Sequence, residues 1–401
     1  MNIAKRVKEL PVSPTRRYLG MAKAAEERGI KVIRLSIGQP DLPTPREYFE
    51  ALRQIPEGTV RYPNATGIEE MRKTQQAYYA RYGIQYAADD IFVTGGAMEG
   101  IRFAITATCN PGDAMLLIEP FYTNYQMITH LFGVHVRAVT ARAEDNYTIP
   151  DESAFEAQYD ENVRAILLSN PCNPNGRVYR REELETIVRF AKKHDLVVIS
   201  DEVYREFNFT PHPFISLYEF EEIRDQLILL DSASKKYAAC GTRIGTAATS
   251  NTELKQAFAK LCQMNLGVSA SEQSAVAALS RIDERYHEGV REIYRARREA
   301  MLEVFREMPE IRYSEPEGAF YSLVKLPVDN AEKFIQWLLK DFSVDGETVL
   351  VTPAADFYYT PGFGDDEIRI SYCVEKDDLV RALRIIQRGL AVYPGRKSPR
   401  H

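Results

Sequence analysis

The chain reads Leu-Ile-Leu-Leu-Asp-Ser-Ala-Ser-Lys over residues 227–235, so that a short aliphatic run is followed closely by a lysine. The aliphatic run predicts a strand that is buried on both faces, as in a parallel sheet. Burial near the end of that strand can remove the proton from Lys235, as the amine requires before it attacks an aldehyde. Ser232 and Arg243 offer a hydroxyl and a guanidinium that are suited to a phosphate. An amine nucleophile beside a phosphate site predicts pyridoxal 5′-phosphate (PLP), a phosphorylated aldehyde, as the cofactor.

Two more polar segments follow predicted strands. Asp201 and Tyr204 come after the strand-like residues 196–199, and Asn173 lies in a turn after the strand-like residues 166–168. PLP needs a carboxylate against its ring nitrogen, and a phenol or amide that hydrogen-bonds its O3′ oxygen. Asp201 is suited to the first task, and Tyr204 and Asn173 to the second. Each pattern alone is ordinary, but three strand ends that match different atoms of one cofactor are hard to assign to chance.

Together these segments resemble those of the class I and II aminotransferases, PLP-dependent enzymes of fold type I in the aspartate aminotransferase superfamily. The resemblance is collinear from about Ser13 to the last predicted helix. It implies that Lys235 binds the cofactor covalently as a Schiff base. It also implies that Asp201 contacts the ring nitrogen and that Asn173 and Tyr204 contact O3′. Ser232 and Arg243 would contact the phosphate.

A further part of the phosphate site is predicted at Gly96 and Ala97, ahead of a helix expected over residues 98–109. Small residues there let backbone N–H groups approach an anion at the helix N-terminus, where the helix dipole favours negative charge. By the resemblance, Gly96 and Ala97 form this cradle and Tyr122 stacks on the pyridine ring. The nearby Tyr125 is predicted to be core instead.

The expected assembly follows from Tyr62, which matches a tyrosine that reaches the phosphate from the neighbouring subunit. The resemblance therefore implies a homodimer whose active sites are shared, so that a single subunit would be inactive. The other expected partners are small molecules, an amino acid and a 2-oxo acid. Neither nucleic acid nor a membrane is expected as a partner.

Substrate recognition is predicted to rest on Arg369, which lies on an alternating, strand-like segment. A guanidinium can bind an α-carboxylate through two parallel hydrogen bonds. The resemblance supports this role and adds Gly38 and Asn173 to the substrate site. Met98 stands where some prokaryotic aspartate aminotransferases have a lysine for the distal carboxylate, although residues 13–15 resemble the same enzymes. We therefore expect a broad range, with apolar or aromatic amino acids beside aspartate, and glutamate and 2-oxoglutarate as one pair.

Alternating strands and helices predict an α/β fold with a mostly parallel sheet flanked by helices. Ligands bind such sheets beyond the carboxyl ends of the strands. One of the predicted helices covers residues 181–194, with Leu184, Ile187, Val188 and Ala191 in helical spacing. The predicted buried strands cover residues 91–94, 114–118, 163–169, 196–200 and 227–231.

A second, smaller α+β unit is predicted near the C-terminus, after a long charged helix around residues 281–298. The resemblance implies that the N-terminal segment joins this unit. We therefore expect a large PLP-binding domain over residues 46–284 and a small domain made of residues 1–45 and 285–401. The elements expected in its C-terminal part are strands at residues 319–326 and 367–372 and helices at residues 331–339 and 376–390.

Composition excludes several other classes of protein. The chain has 401 residues, 45% of them hydrophobic and 27% charged, as in globular proteins with a substantial core. Its formal net charge of -6 gives no reason to expect nucleic acid or an anionic membrane as a partner. The five cysteines are scattered and odd in number, which disfavours disulfides and zinc sites, so no metal is expected. Without a signal-like start or a long apolar run, the chain is expected in the cytoplasm.

These features predict an aminotransferase that transfers an amino group between an L-amino acid and a 2-oxo acid. A PLP-dependent lyase of the same fold, a C–S β-lyase or an aminocyclopropane-carboxylate synthase-like enzyme, stays open because it would share the cofactor contacts. A ligand-sensing regulator is disfavoured, since such proteins carry an additional DNA-binding domain ahead of the region that begins here at about Ser13. An inactive binding protein is disfavoured because every expected cofactor contact has a residue.

Overall fold

Three β-sheets form the framework of the described chain. The computed structural model describes residues 2–283 and 285–397. Within these ranges the strands are, in chain order, β1 (Lys31–Arg34), β2 (Ile91–Thr94), β3 (Ala114–Glu119), β4 (His135–Thr140), β5 (Val163–Ser169), β6 (Val197–Asp201), β7 (Leu227–Ser232), β8 (Gly245–Ala248), β9 (Arg312–Tyr313), β10 (Tyr321–Lys325), β11 (Glu347–Leu350), β12 (Thr352–Pro353) and β13 (Glu367–Ser371).

The central sheet has seven strands in the order β2-β8-β7-β6-β5-β3-β4. The strands from β7 to β4 are parallel to one another, whereas β8 is antiparallel to both of its neighbours. The register pairs Ser169 of β5 with Asp201 of β6, and Asp201 with Leu230 of β7. The carboxyl ends of three neighbouring strands therefore meet at one end of the sheet, where an α/β sheet binds its ligands.

The five strands predicted from apolar runs are confirmed, with their ends within one residue of the prediction. Sequence patterns did not indicate β4 and β8. Strand β4 lies at the edge of the sheet and alternates exposed His135 with buried Val136. Strand β8 is Gly-Thr-Ala-Ala, whose four residues are all buried but too small to form a recognisable apolar run.

Helices flank the central sheet. Within the described ranges, each helix falls short of a membrane span in its length or its apolar character. The helices are α1 (Lys5–Lys8), α2 (Leu19–Glu27), α3 (Arg46–Arg53), α4 (Glu69–Ala80), α5 (Ala97–Thr108), α6 (Asn124–Phe132), α7 (Glu152–Glu156), α8 (Arg181–Lys193), α9 (Ala233–Lys236), α10 (Thr252–Met264), α11 (Ala270–Ala277), α12 (Arg285–Arg306), α13 (Ala331–Asp341) and α14 (Lys376–Val392).

Helix α8 shows why the sequence folds this way. Its Leu184, Ile187 and Val188 recur at helical spacing and are buried, so that one face packs against the sheet. The helix begins where Glu183 Oε2 accepts a hydrogen bond from the backbone N–H of Arg180 at 2.9 Å. The predicted helix over residues 181–194 is therefore confirmed, with one residue fewer at its end.

The remaining two sheets lie outside the central one. Strands β1 and β11 form a parallel pair, and β12, β13, β10 and β9 form an antiparallel sheet in that order. Ala22 and Ala25 of α2 belong to the same hydrophobic core as Phe305 of α12 and Leu383 of α14. This shared core supports the expected small domain of residues 1–45 and 285–401, which stays a prediction together with the large domain at 46–284.

The long helix predicted around residues 281–298 is α12, but its bounds differ. Arg281 belongs to a preceding 3-10 helix, and residue 284 lies outside the described residues. The side chain of Asp283 accepts a hydrogen bond from the backbone N–H of Arg285 at 2.9 Å, which favours a helix start at that point. The helix then continues to Arg306, beyond the predicted end.

Candidate active site

A cavity of about 530 Å³ lies at the carboxyl ends of β5, β6 and β7. Ten of the twelve residues predicted for the site line this cavity. The two exceptions are Tyr62 and Gly96, which directly precedes the lining residue Ala97 in the chain. Parallel strands bring residues from distant parts of the chain together at this end of the sheet.

Lys235 reaches the cavity from α9, the short helix that follows β7. Its Nζ donates a hydrogen bond to the carbonyl oxygen of Gly38 at 2.7 Å and lies 4.0 Å from Sγ of Cys240. The short helix is held by Ser232, whose Oγ accepts from the N–H of Ser234 at 3.1 Å and donates to the carbonyl of Ile244 at 3.0 Å. The amine therefore faces an open cavity from a well-anchored backbone.

Asp201 lies at the end of β6 and is buried. Tyr125 donates a hydrogen bond to its Oδ2 at 2.7 Å, and the N–H of Val203 donates to Oδ1 at 3.4 Å. Burial raises the pKa of Asp201 to about 6, although these two hydrogen bonds act in the opposite direction. Within residues 2–283 and 285–397, no lysine, arginine or histidine forms an ion pair with this carboxylate. A buried acid without a cationic partner suits a protonated ring nitrogen.

The residues expected at O3′ are also in the cavity wall. The hydroxyl of Tyr204 lies 2.9 Å from that of Tyr321, and burial raises the pKa of Tyr204 well above its ordinary value. Oδ1 of Asn173 accepts a hydrogen bond from Arg369 at 3.0 Å. Tyr122, predicted to stack on the ring, accepts a hydrogen bond from Asn124 at 2.8 Å. Three polar groups thus surround one region of the cavity.

The predicted phosphate cradle combines the start of α5 with Arg243. The guanidinium donates to the carbonyl oxygens of Gly95 at 3.2 Å and of Cys240 at 3.1 Å. Gly96 has a φ of 82°, which favours glycine, and a Cβ there would lie 2.5 Å from Nη2 of Arg243, so a side chain would be strained and would displace the guanidinium. The N-terminus of a twelve-residue helix, a guanidinium and the hydroxyl of Ser232 together suit a phosphate.

Arg369 lies on β13 and is only 2% exposed. It donates to Oδ1 of Asn173 and, at 2.7 Å, to the carbonyl of Ser36. Its guanidinium lies 4.5 Å from the ring centre of Tyr321 and 5.0 Å from that of Phe357. No carboxylate of the described chain forms an ion pair with it, and its Nε has no hydrogen-bond partner. This buried cation can accept a carboxylate from outside the protein.

Gly38 lies opposite Lys235 and next to a tyrosine. A Cβ at this position would lie 1.7 Å from the hydroxyl oxygen of Tyr321, so a side chain cannot be accommodated without a rearrangement. The backbone carbonyl of Gly38 accepts the hydrogen bond from Lys235. Its predicted place over the substrate is compatible with this position in the cavity wall.

Tyr62 is the predicted site residue that lies apart from the others. Tyr62 is 80% exposed, and Val60, two residues before it, is 84% exposed. The prediction concerned the active site of a second subunit, so a single chain leaves it untested.

Sequence reasoning missed part of the cavity wall and the hydrogen bond of Tyr125 to Asp201. Tyr125 is buried, as expected for core, but its hydroxyl serves Asp201 rather than packing alone. Arg16 and Cys240 also line the cavity and carried no recognisable motif. The nearest signal for Arg16 is its place directly after residues 13–15, which resemble the N-terminal segment of some prokaryotic aspartate aminotransferases.

Comparison with known proteins gives a consistent result. A family model described as aminotransferase class I and II matches residues 30–386. An aspartate aminotransferase of Thermotoga maritima is 31% identical over 96% of this chain and 98% of its own length. A bifunctional aspartate aminotransferase and glutamate/aspartate-prephenate aminotransferase of Petunia hybrida is 29% identical over 97% of this chain and 83% of its own. The solved structure of a Thermus thermophilus aspartate aminotransferase mutant has a TM-score of 0.88 at 26% identity, over 97% of this chain and 100% of that one.

Proposed function

Because this chain belongs to the class I and II aminotransferases, we propose that it transfers an amino group between an L-amino acid and a 2-oxo acid with PLP as cofactor. One observation carries the proposal: three side chains with complementary chemistry line the same cavity. They are the amine of Lys235, which faces open space, the buried carboxylate of Asp201 and the buried guanidinium of Arg369. Among the described residues, neither of the two buried groups has a partner of opposite charge. An aldehyde, a pyridine nitrogen and a substrate carboxylate would satisfy these three groups in turn.

The residues present fit PLP. The buried carboxylate of Asp201 lacks a cationic partner among the described residues, and the glycine at position 96 leaves room for Arg243 against the start of α5. Asp201 would hold the ring nitrogen, Asn173 and Tyr204 would hold O3′, and Ser232 and Arg243 would hold the phosphate, beside Gly96 and Ala97, with Tyr122 against the ring. When bound, the cofactor supplies an electron-withdrawing ring for the chemistry at the amino acid's Cα.

The chain's own residues would then act as follows. Arg369 binds the α-carboxylate of the substrate and fixes its orientation, because its guanidinium offers parallel donors. The backbone of Gly38 bounds the substrate on the side of Lys235. The amine of Lys235, once free of its proton, removes the proton from Cα as a general base and can return it at another carbon. One residue thus serves both as the covalent anchor and as the base.

Two further parts of the proposal concern assembly and location. We propose a homodimer in which Tyr62 completes the partner's site, which is supported by the 80% exposure of this tyrosine. We propose that the enzyme works in the cytoplasm, which is supported by five cysteines that are all free.

The lyase alternative is not favoured. Two relatives that match nearly the whole chain are named aspartate aminotransferase, one of them as bifunctional with a glutamate/aspartate-prephenate aminotransferase. These names support an acidic substrate, while Met98 in the cavity wall supports apolar or aromatic substrates beside it. We therefore propose a broad-range enzyme that uses glutamate and 2-oxoglutarate as one pair.

A screen of amino donors with 2-oxoglutarate tests this function. We expect glutamate to form together with the 2-oxo acid of each accepted donor. In the absence of a 2-oxo acid, one donor should convert the cofactor to its aminated form once per site. A lyase would instead release its product repeatedly without accumulating the aminated cofactor, and that result would overturn the proposal.

A further inference from the structure

The cavity wall carries more positive charge than the predicted contacts require. Four cationic side chains line it, Arg16, Lys235, Arg243 and Arg369, against a single carboxylate, that of Asp201. In the proposed function Arg243 meets a phosphate, Arg369 meets an α-carboxylate and Lys235 is the nucleophile. One cation, Arg16, is left without a task.

Arg16 differs from the other three in its contacts. Arg243 and Arg369 donate to backbone carbonyls, and Lys235 donates to Gly38. The side chain of Arg16 makes no hydrogen bond or ion pair within residues 2–283 and 285–397. Its backbone N–H donates to the carbonyl of Ser13 at 3.0 Å, and its carbonyl accepts from the N–H of Leu19 at 3.2 Å. An exposed guanidinium at a cavity, with its donors unused, is available to an anion that enters from solvent.

The neighbouring Arg17 shows that the unused guanidinium is particular to position 16. Arg17 lies outside the cavity wall and forms ion pairs with Glu332 and, at 2.7 Å, with Asp356. Two consecutive arginines therefore have separate tasks: Arg17 fastens the N-terminal segment to the body of the protein, and Arg16 is presented to the cavity. The fastening limits how far Arg16 can move.

Because the cofactor's ring nitrogen, O3′ and phosphate already have proposed partners, Arg16 is left for the substrate side chain. Its positive charge acts on Tyr122 and, like that of Arg369, opposes the rise that burial causes in the pKa of this phenol. The hydroxyls of Ser13 and Thr15, three residues and one residue before Arg16, lie 2.9 Å apart and line the same cavity as Met98. A guanidinium, two hydroxyls and a thioether can receive either a carboxylate or an apolar group.

We propose that Arg16 binds the distal carboxylate of dicarboxylic amino acids and 2-oxo acids in this protein. The inference rests on the proposed aminotransferase function and names a substrate class for the same cavity. It also gives a reason why a methionine can stand at position 98: the N-terminal segment supplies the cation from another direction.

The test compares single half-reactions, because a 2-oxo acid acceptor would itself carry a distal carboxylate. Arg16→Ala and Arg16→Lys are mixed, as holoenzymes, with aspartate and with phenylalanine, and the rate of cofactor amination is followed by absorbance. Arg312→Ala serves as the matched control, because Arg312 is an exposed arginine outside the cavity wall. Thermal unfolding of each variant verifies that it is folded.

We expect Arg16→Ala to lower kcat/KM for aspartate about 10- to 100-fold, the size of one or two charge-assisted hydrogen bonds, and to change that for phenylalanine less than about 3-fold. Arg16→Lys should recover part of the loss, and so should Met98→Lys in the Arg16→Ala background. The loss should shrink at high salt, since the side chain is exposed. Equal losses for both donors, or none for either, would overturn the inference.

A binding measurement keeps the inference separate from the proposed function. Succinate and butyrate have the same carbon skeleton and differ by one carboxylate, and neither can be transaminated. We expect the wild type to bind succinate at least about 10-fold more tightly, and Arg16→Ala to remove that preference. If the wild type accepts no amino donor, the proposed function fails, whereas a succinate preference that survives in Arg16→Ala defeats the role of Arg16 alone.

Discussion

Two neighbouring lysines at the end of β7 have opposite surroundings. Lys235 is half-buried, faces the cavity and hydrogen-bonds only uncharged partners, the carbonyl of Gly38 at 2.7 Å and the thiol of Cys240 at 4.0 Å. Lys236 is buried on the other side of the chain, where its Nζ lies 2.5 Å from Oδ2 of Asp231 and 3.5 Å from the ring centre of Tyr78. One step along the chain separates an amine that is available from one that is fixed.

The fixed lysine belongs to a buried charge network. Asp231 also accepts a hydrogen bond from Gln75 at 2.8 Å, and Arg205 lies 3.9 Å away and pairs with Glu202 at 2.7 Å. Burial alone would raise the pKa of Asp231, but the charges of Lys236 and Arg205 hold it below its ordinary value. The comparison shows that reactivity here depends on a missing charge partner: within residues 2–283 and 285–397 no carboxylate forms an ion pair with Lys235, whereas Asp231 pairs with Lys236.

The largest expected effect is on the cavity side. Lys235→Ala should abolish transamination and the visible absorbance of the bound cofactor, because the covalent anchor and base are lost together. Its free energy of unfolding without cofactor should stay within about 1 kcal/mol of wild type, since the amine makes few contacts. Absorbance spectra, steady-state assays and denaturant titration measure these quantities. Wild-type turnover in this variant would show that another group is the nucleophile.

Asp201→Asn comes next in size. An amide cannot keep the ring nitrogen protonated, so removal of the Cα proton should slow by several orders of magnitude while the cofactor remains bound. Deuterated donors in single-turnover experiments isolate this step. A variant within a few-fold of wild type would mean that a different group holds the ring nitrogen.

Arg369→Ala should lower kcat/KM by one to four decades for every amino donor, because each contact to a charged group contributes about 1.5–3 kcal/mol and all substrates share the α-carboxylate. Steady-state kinetics with aspartate, alanine and phenylalanine measure this. A loss restricted to one class of donor would instead place Arg369 at the substrate side chain.

Lys236→Met should mainly lower stability, whereas Lys235→Ala mainly removes activity. It leaves the buried charge of Asp231 without its nearest partner, so the free energy of unfolding should fall by about 3–5 kcal/mol. Lys333→Met, at an exposed ion pair with Asp329, is the control and should cost less than about 1 kcal/mol. Equal stability of the two variants would show that the buried charge network does not hold Lys236 in place.

The smallest expected effect concerns pH and the protein without cofactor. Since burial raises the pKa of Asp201 to about 6, the native state binds this proton more tightly than the unfolded chain does. The group therefore contributes most stability below its ordinary pKa, and that contribution is lost as pH rises to about 6. At pH 7.5 Asp201→Asn should be about 2–3 kcal/mol more stable than wild type.

That advantage should disappear as the pH falls towards 4, which denaturant titrations at several pH values can follow. Addition of cofactor at pH 7.5 should also remove it, because a protonated ring nitrogen neutralises the wild-type carboxylate. A difference that does not depend on pH would exclude the charge of Asp201 as its cause.

The sequence indicated the central part of this site because local rules were sufficient there. Lys235, Asp201 and Asn173 each follow an aliphatic run, and parallel strands bring such ends together. The same rules gave the five strands, but they missed β8, whose small residues form no apolar run.

What the sequence did not reveal depends on contacts between distant residues. Tyr125 serves Asp201, 76 residues away, and Gln75 serves Asp231, 156 residues away. Neither pair leaves a local pattern, because the partners meet only once the chain is folded. Likewise, no pattern in the sequence indicates that Lys236 is buried against Asp231, 5 residues before it, on the side away from the cavity.

The pairing of β1 with β11 has a consequence for how the protein is made. Lys31 lies beside Glu347, so the first strand meets its partner only after another 316 residues have joined the chain. At about 5–20 residues per second on a ribosome, the N-terminal segment waits roughly 15–60 s in an unfinished state. The segment that contains β1 is therefore secured only late in synthesis, after β11 has joined the chain.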